Sequence, residues 1–222
     1  MPIRDALLDT WALLMPVQCA GCGADDRALC EACRAQLLPE VTVRMTRGIP
    51  VFSALDYEGV VRSAILAFKE HDRTDVAAAL AAPLAAAISR ALAVHTESSP
   101  AAPSTQRPEL ALVPTSRGAW RRRGYCPVQM LVRRCGVRTT RVLSHRRATD
   151  AQKELGAAER ATNLLGAFVA RRHLHGRSFV IVDDILTSGA TITEAARAIE
   201  AAGGEVVAAA TIAFTRRFMA GR

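Results

Sequence analysis

The chain has 222 residues, half of them hydrophobic and only 5% aromatic, with alanine abundant. That length suits one solid core and a small appendage, which excludes an array of large domains and favours a helix-rich α/β protein. The net charge of +8 is local: ten arginines and no acid lie between Arg117 and Thr149, while nineteen basic and twenty-one acidic residues share the rest. A field so concentrated points to an anionic partner, a polyphosphate or a nucleic acid.

Residues 1–15, MPIRDALLDTWALLM, place Ile3, Leu7, Leu8, Trp11, Leu14 and Met15 on one helical face, interrupted by Asp5 and Asp9. This predicts a docked amphipathic helix in place of a signal sequence. No apolar run is expected to reach membrane-spanning length, so a cytoplasmic protein is expected. Next come Cys19-x-x-Cys22 and Cys30-x-x-Cys33, seven residues apart. Two such pairs can gather four thiolates around one tetrahedral metal. A segment this small cannot bury enough apolar surface to fold unaided, so a structural zinc knuckle is expected. An iron–sulfur cluster is the alternative. Cys126 and Cys135 lack paired spacing and read as free thiols.

After the knuckle a strand is expected through Tyr57, then a helix from Gly59 carrying Val60, Val61, Ala64, Ile65 and Phe68 at helical spacing. A second helix is predicted over Thr74–Val94, bent by Pro83. The Pro/Ser/Thr-rich run of 96–108 reads as a linker or long loop. A short strand over Leu110–Val113, a helix over Ala119–Arg134 and a strand around Arg141–Ser144 follow. The chain closes with a strand over Phe179–Val182, a helix after Gly189 and a strand over Glu205–Phe214. Such alternation implies a mainly parallel sheet with right-handed crossovers.

The segment FVIVDDILTSGAT, Phe179 to Thr191, is the most informative. Its apolar run suits a strand buried on both faces. Its turn, Thr187, Ser188, Gly189, Ala190 and Thr191, offers backbone N–H groups and hydroxyls at a helix start, a seat for phosphate. Asp183 and Asp184, beside that seat, suit the hydroxyls of a ribose. In open α/β sheets ligands sit beyond the carboxyl ends of the strands. There the loops Pro114–Arg117 and Arg121–Gly124 would converge, with Arg117 and Arg123 as candidates for a pyrophosphate.

The segment resembles the phosphoribosyl-pyrophosphate signature of type I phosphoribosyltransferases. The resemblance implies that Asp183 and Asp184 hold the ribose 2′- and 3′-hydroxyls and that Thr187 to Thr191 bind the 5′-phosphate, with magnesium accompanying phosphoribosyl pyrophosphate. Further segments narrow it: the paired Cys-x-x-Cys knuckle, Tyr57-x-Gly59-x-x-Arg62, Phe68-Lys69, Val113-Pro114, Arg123-Gly124-Tyr125, Thr149-x-x-Gln152-x-x-Leu155 and Arg160-x-x-Asn163. In this order they are similar to the ComF family, also called GntX-like or competence-type proteins. The implied organisation is an N-terminal helix and four-cysteine zinc knuckle over 1–45, then a phosphoribosyltransferase-type α/β domain over 46–222. The family is associated with DNA uptake and the handling of single strands in transformable bacteria. Here Tyr125 is followed by Cys126 and Pro127 where relatives usually carry Asn-Gln, which loses two amides. The sequence shows no base-binding motif. Two functions therefore stay open: a transferase with an unknown acceptor, and a non-catalytic adaptor for single-stranded DNA that partners a competence helicase.

Overall fold

The computed structural model describes residues 17–25, 27–98, 107–146 and 165–216. The expected N-terminal helix, and Gln152, Arg160 and Asn163, lie outside them. The elements in chain order are α1 (Glu31–Ala35), β1 (Thr42–Thr46), β2 (Ile49–Asp56), α2 (Gly59–Glu70), α3 (Ala77–Ser98), β3 (Glu109–Leu112), α4 (Arg117–Arg123), α5 (Pro127–Arg134), β4 (Thr139–Thr140), β5 (Leu143–His145), β6 (Phe168–Ala170), β7 (Ser178–Leu186), α6 (Ala190–Glu200) and β8 (Glu205–Phe214). A turn of 3₁₀ helix, Thr74–Val76, leads into α3.

Six strands form one sheet in the order β1-β2-β8-β7-β3-β4, parallel except for the β1–β2 hairpin at the edge. The mixed α/β fold with a mostly parallel sheet is the one expected from the alternation of elements. Phe179, Val180, Ile181 and Val182 are all fully buried because helices cover both sides of β7. One side packs Val180, Val182, Ala208 and Ala210 against Ile65, Phe68, Leu80, Leu84 and Leu131 of α2, α3 and α5. The other packs Phe179, Ile181 and Ala209 against Ile192, Ala195 and Ile199 of α6. The alanines of β8 keep that strand thin, so α3 packs closely across it. Each large side chain buried this way stabilises the fold by roughly 1.5–3 kcal/mol relative to its exposed state.

Several expectations need correction. The single helix expected over Ala119–Arg134 is two: Gly124, at φ 71, ends α4 in a left-handed cap, and Pro127 opens α5 at its first turn. Apolar periodicity runs across this break, whereas the Gly and Pro chemistry marks it. The strand expected around Arg141–Ser144 overlaps only β5, which lies outside the main sheet and pairs antiparallel with β6; the main-sheet strand of this region, β4, ends earlier, at Thr140. β7 continues past Val182 to Leu186, so both acids belong to the strand. β1, with its exposed Val43 and Met45, was not foreseen. Finally, Thr74–His95 is long and apolar enough to cross a membrane by length and composition, contrary to the expected lack of such a run. Within this fold its Leu80, Leu84 and Ile88 are buried against the sheet.

Candidate functional site

The two acids stand near the carboxyl end of β7, where Asp183 lies opposite Thr211 and Leu186 opposite Phe214 in β8. Successive strand residues point to opposite faces. Asp184 shares the face of Val180 and Val182 and meets α2, where its Oδ2 lies 2.9 Å from Lys69 Nζ. Asp183 shares the face of Ile181, the side covered by α6. Its Oδ1 accepts the Asp184 N–H at 2.9 Å. Burial, and next the charge of Asp184, push the Asp183 carboxyl up to about 7, against the opposing pull of that N–H and of Lys69. The pair is therefore not two equivalent carboxylates: one is held by an ammonium ion, and the other keeps its proton to near neutrality.

The turn after β7 is open. The N–H groups of Thr187, Ser188 and Gly189 have no acceptor among the described residues, and neither do those of Thr191 and Ile192. The first helical bond of α6 runs from Thr193 N to Gly189 O, and Ala190 N reaches only Ser188 Oγ, at 3.4 Å. Thr187, Ser188 and Ala190 are exposed, Thr191 is partly buried and Gly189 is buried. Gly189 has φ 73, and a Cβ there would lie 2.4 Å from Thr46 Cγ2. Glycine is thus required twice, by backbone conformation and by close approach. Unpaired amides clustered at the start of an eleven-residue helix could receive an anion.

Arg117 begins α4, whose N-cap Ser116 Oγ accepts from Ala119 N at 3.2 Å. Its side chain is exposed and has no partner among the described residues. Arg123 is placed differently from Arg117: its guanidinium lies 2.5 Å from Glu70 Oε1, and its side chain is 12% exposed. Beside it the Tyr125 hydroxyl donates to Phe68 O, with the two rings 5.7 Å apart. The last turn of α2 is consequently a junction. Phe68 receives Tyr125, Lys69 holds Asp184, and Glu70 holds Arg123. Sequence reasoning gave Lys69 and Glu70 no role in the site. The signal available was Phe68-Lys69 at the end of an amphipathic helix, one of only two lysines in a chain that otherwise uses arginine.

The four cysteines do come together. The sulfurs of Cys19, Cys22, Cys30 and Cys33 all lie within 4.8 Å of one another, and Cys22 and Cys30 are 3.8 Å apart. Sulfurs on a tetrahedral zinc would be about 3.8 Å apart, given Zn–S bonds near 2.3 Å. Burial pushes Cys19 up, but N–H groups of Cys30, Cys22 and Gly21 outweigh it and bring the thiol down to about 6. Cys33 is driven upward by burial and by its neighbouring sulfurs. Packing four such groups together suits a cation at their centre, and the cluster could hold a metal such as zinc. The backbone fits tightly around it: a Cβ on Gly21 would be 2.6 Å from Cys33 Sγ.

Residues 120–217 match the phosphoribosyl transferase domain family. The matched segment holds Arg123, both acids and the open turn, and it excludes the cysteine cluster, β1, β2, α2 and Arg117. No curated protein matches the chain. The molecule is thus a mixed α/β protein with a phosphoribosyltransferase-type domain and an N-terminal four-cysteine cluster.

Proposed function

We propose that this chain binds phosphoribosyl pyrophosphate at the carboxyl end of β7 and is of the ComF type. The observation that carries the reading is the ordered acid pair and open amide turn, Asp183 to Thr191, within a segment that matches the phosphoribosyl transferase domain. In this reading the amides of Thr187 to Thr191 hold the 5′-phosphate and Asp183 and Asp184 receive the ribose hydroxyls. Arg117, which is exposed and unpaired among the described residues, faces the pyrophosphate, and Arg123 acts through Glu70 to fix the α4–α5 turn. Magnesium would be held mainly by the phosphates and water, with the acids reaching it through ribose hydroxyls or water, and would neutralise charge on the leaving pyrophosphate. In transfer, the C1–O bond breaks with its electrons leaving on pyrophosphate, and a nucleophile bonds to C1. The site contributes position and charge stabilisation. The cysteine cluster holds structural zinc, and the setting is cytoplasmic.

Titration calorimetry with phosphoribosyl pyrophosphate and magnesium tests the binding. Heat that disappears in Asp183→Asn/Asp184→Asn supports it, and no heat with the intact chain refutes it. Pyrophosphate release with free bases or ammonia tests turnover.

A second reading, a single-stranded-DNA adaptor partnering a helicase, is favoured by one surface. A cavity of about 460 Å³ is lined by Trp120, Arg133, Arg134 and Arg141, with no acid in its lining. Trp120 is 56% exposed, as a base-stacking platform would be. Its test is single-stranded DNA affinity, which should fall steeply with salt and weaken in Trp120→Ala. A flat salt response excludes it.

A further inference from the structure

The edge hairpin β1–β2 touches the anion seat from outside the matched domain. Its last β1 residue, Thr46, is buried, and its Oγ1 has no hydrogen-bond partner among the described residues. That oxygen lies 3.1 Å from where a Cβ on Gly189 would be, so the hydroxyl sits directly against the turn that carries the free amides. Burying a hydroxyl without a partner is unfavourable and marks a contact that a ligand or a small shift of the turn would complete. The next residue is Arg47. It is exposed, has no ion pair or hydrogen bond among the described residues, and has φ 46. With Gly48 at φ 84 it makes the two-residue hairpin turn. Both central positions of such a turn favour Asn, Asp or Gly, and a long side chain is disfavoured at the first. An arginine is thus held in a backbone conformation it resists, at the tip of a hairpin docked on an anion seat.

We propose that the β1–β2 hairpin is the second wall of the phosphate site, with Arg47 supplying the guanidinium that binds the phosphate seated on Thr187 to Thr191 and Thr46 the hydroxyl that fixes the turn around it. The proposal rests on the ribose-phosphate reading above and adds to it. Amides alone select an anion, whereas a forked cation beside them selects a dianionic phosphate over a carboxylate or a neutral sugar. The charge comes from a strand distant in sequence, which explains why the signature segment itself carries no basic residue between Phe179 and Thr191.

The experiment is calorimetry of the full chain with ribose 5-phosphate and with phosphoribosyl pyrophosphate plus magnesium, together with thermal denaturation. Arg47→Gln should weaken both ligands by about tenfold or more, and Arg47→Lys by less. Arg47→Gly should lose binding like Arg47→Gln yet raise the melting temperature, because glycine relieves the turn. Thr46→Val, which keeps the shape and removes the hydroxyl, should weaken ribose 5-phosphate several-fold, while Thr46→Ser should not. Wild-type binding retained in Arg47→Gln and Arg47→Gly assigns Arg47 to the turn alone and overturns the proposal. Failure of the unaltered chain to bind either ligand overturns the ribose-phosphate reading itself, and the hairpin's role with it.

Discussion

Lys69 Nζ lies 2.9 Å from Asp184 Oδ2, tying the last turn of α2 to the carboxyl end of β7. The contact pins one acid of the pair against an ammonium ion, while burial pushes the carboxyl of Asp183, on the other face of the strand, up to about 7. Both partners are about four-fifths buried, which places the pair between a surface ion pair and a core one.

Removing Lys69 therefore strands a largely buried charge. A double-mutant cycle of Lys69→Met and Asp184→Asn should give a coupling of roughly 1–3 kcal/mol by chemical denaturation, between the surface and buried limits. Lys69→Met alone should be the more damaging single change, because it leaves the carboxylate unpaired. A coupling indistinguishable from zero would mean that the contact does not hold the strand end.

Asp183 should make the free protein's stability depend on pH in a defined sense. Its unfolded carboxyl titrates near about 3.9, and the folded one near 7. Between about pH 4 and pH 7 the folded state holds the extra proton, so this contribution to stability falls as pH rises through that window and is level above it. Asp183→Asn removes the dependence. It should raise the melting temperature at about pH 8 while leaving it nearly unchanged at about pH 4. An equal shift at both pH values would show that burial does not perturb this acid.

The cysteine cluster yields a steric prediction as well as a chemical one. The purified chain should carry one zinc, and a strong chelator should lower its melting temperature. Gly21→Ala should release the metal even though all four ligands remain, because its methyl group would meet Cys33 Sγ at 2.6 Å and Val60 Cγ1 at 2.9 Å. Full zinc retention in Gly21→Ala would show that the loop relaxes, and iron in place of zinc would replace the knuckle reading.

Much of this was legible because the signals are local. The apolar run Phe179–Val182 reads as a doubly covered strand, the Cys-x-x-Cys pairs keep their thiols close in sequence, the first on a turn and the second at the start of α1, and β8 matches the expected Glu205–Phe214. The illegible parts depend on distant partners. β7 runs to Leu186 because β8 offers Thr211 to Phe214 alongside, and nothing near Asp183 states that. Lys69 joins the site across more than a hundred residues, and the hairpin at Thr46 reaches Gly189 across a longer gap still. The break at Gly124 was written locally, but helical periodicity on both sides masked it.

Tyr125 offers a check on the junction at the end of α2. Tyr125→Phe keeps the ring contact with Phe68 and removes only the donor to Phe68 O. The expected cost is about 1 kcal/mol by denaturation, with a further loosening of Arg123 from Glu70. No change in stability would mean that the hydroxyl bond is exchanged freely with water.

The most direct test of the ribose-phosphate site is calorimetric titration of phosphoribosyl pyrophosphate with magnesium into the intact chain and into Asp183→Asn/Asp184→Asn. Saturable one-to-one binding in the first, and its loss in a doubly substituted chain that remains folded, is the predicted result. Silence in the intact chain, or equal binding in both, would contradict it.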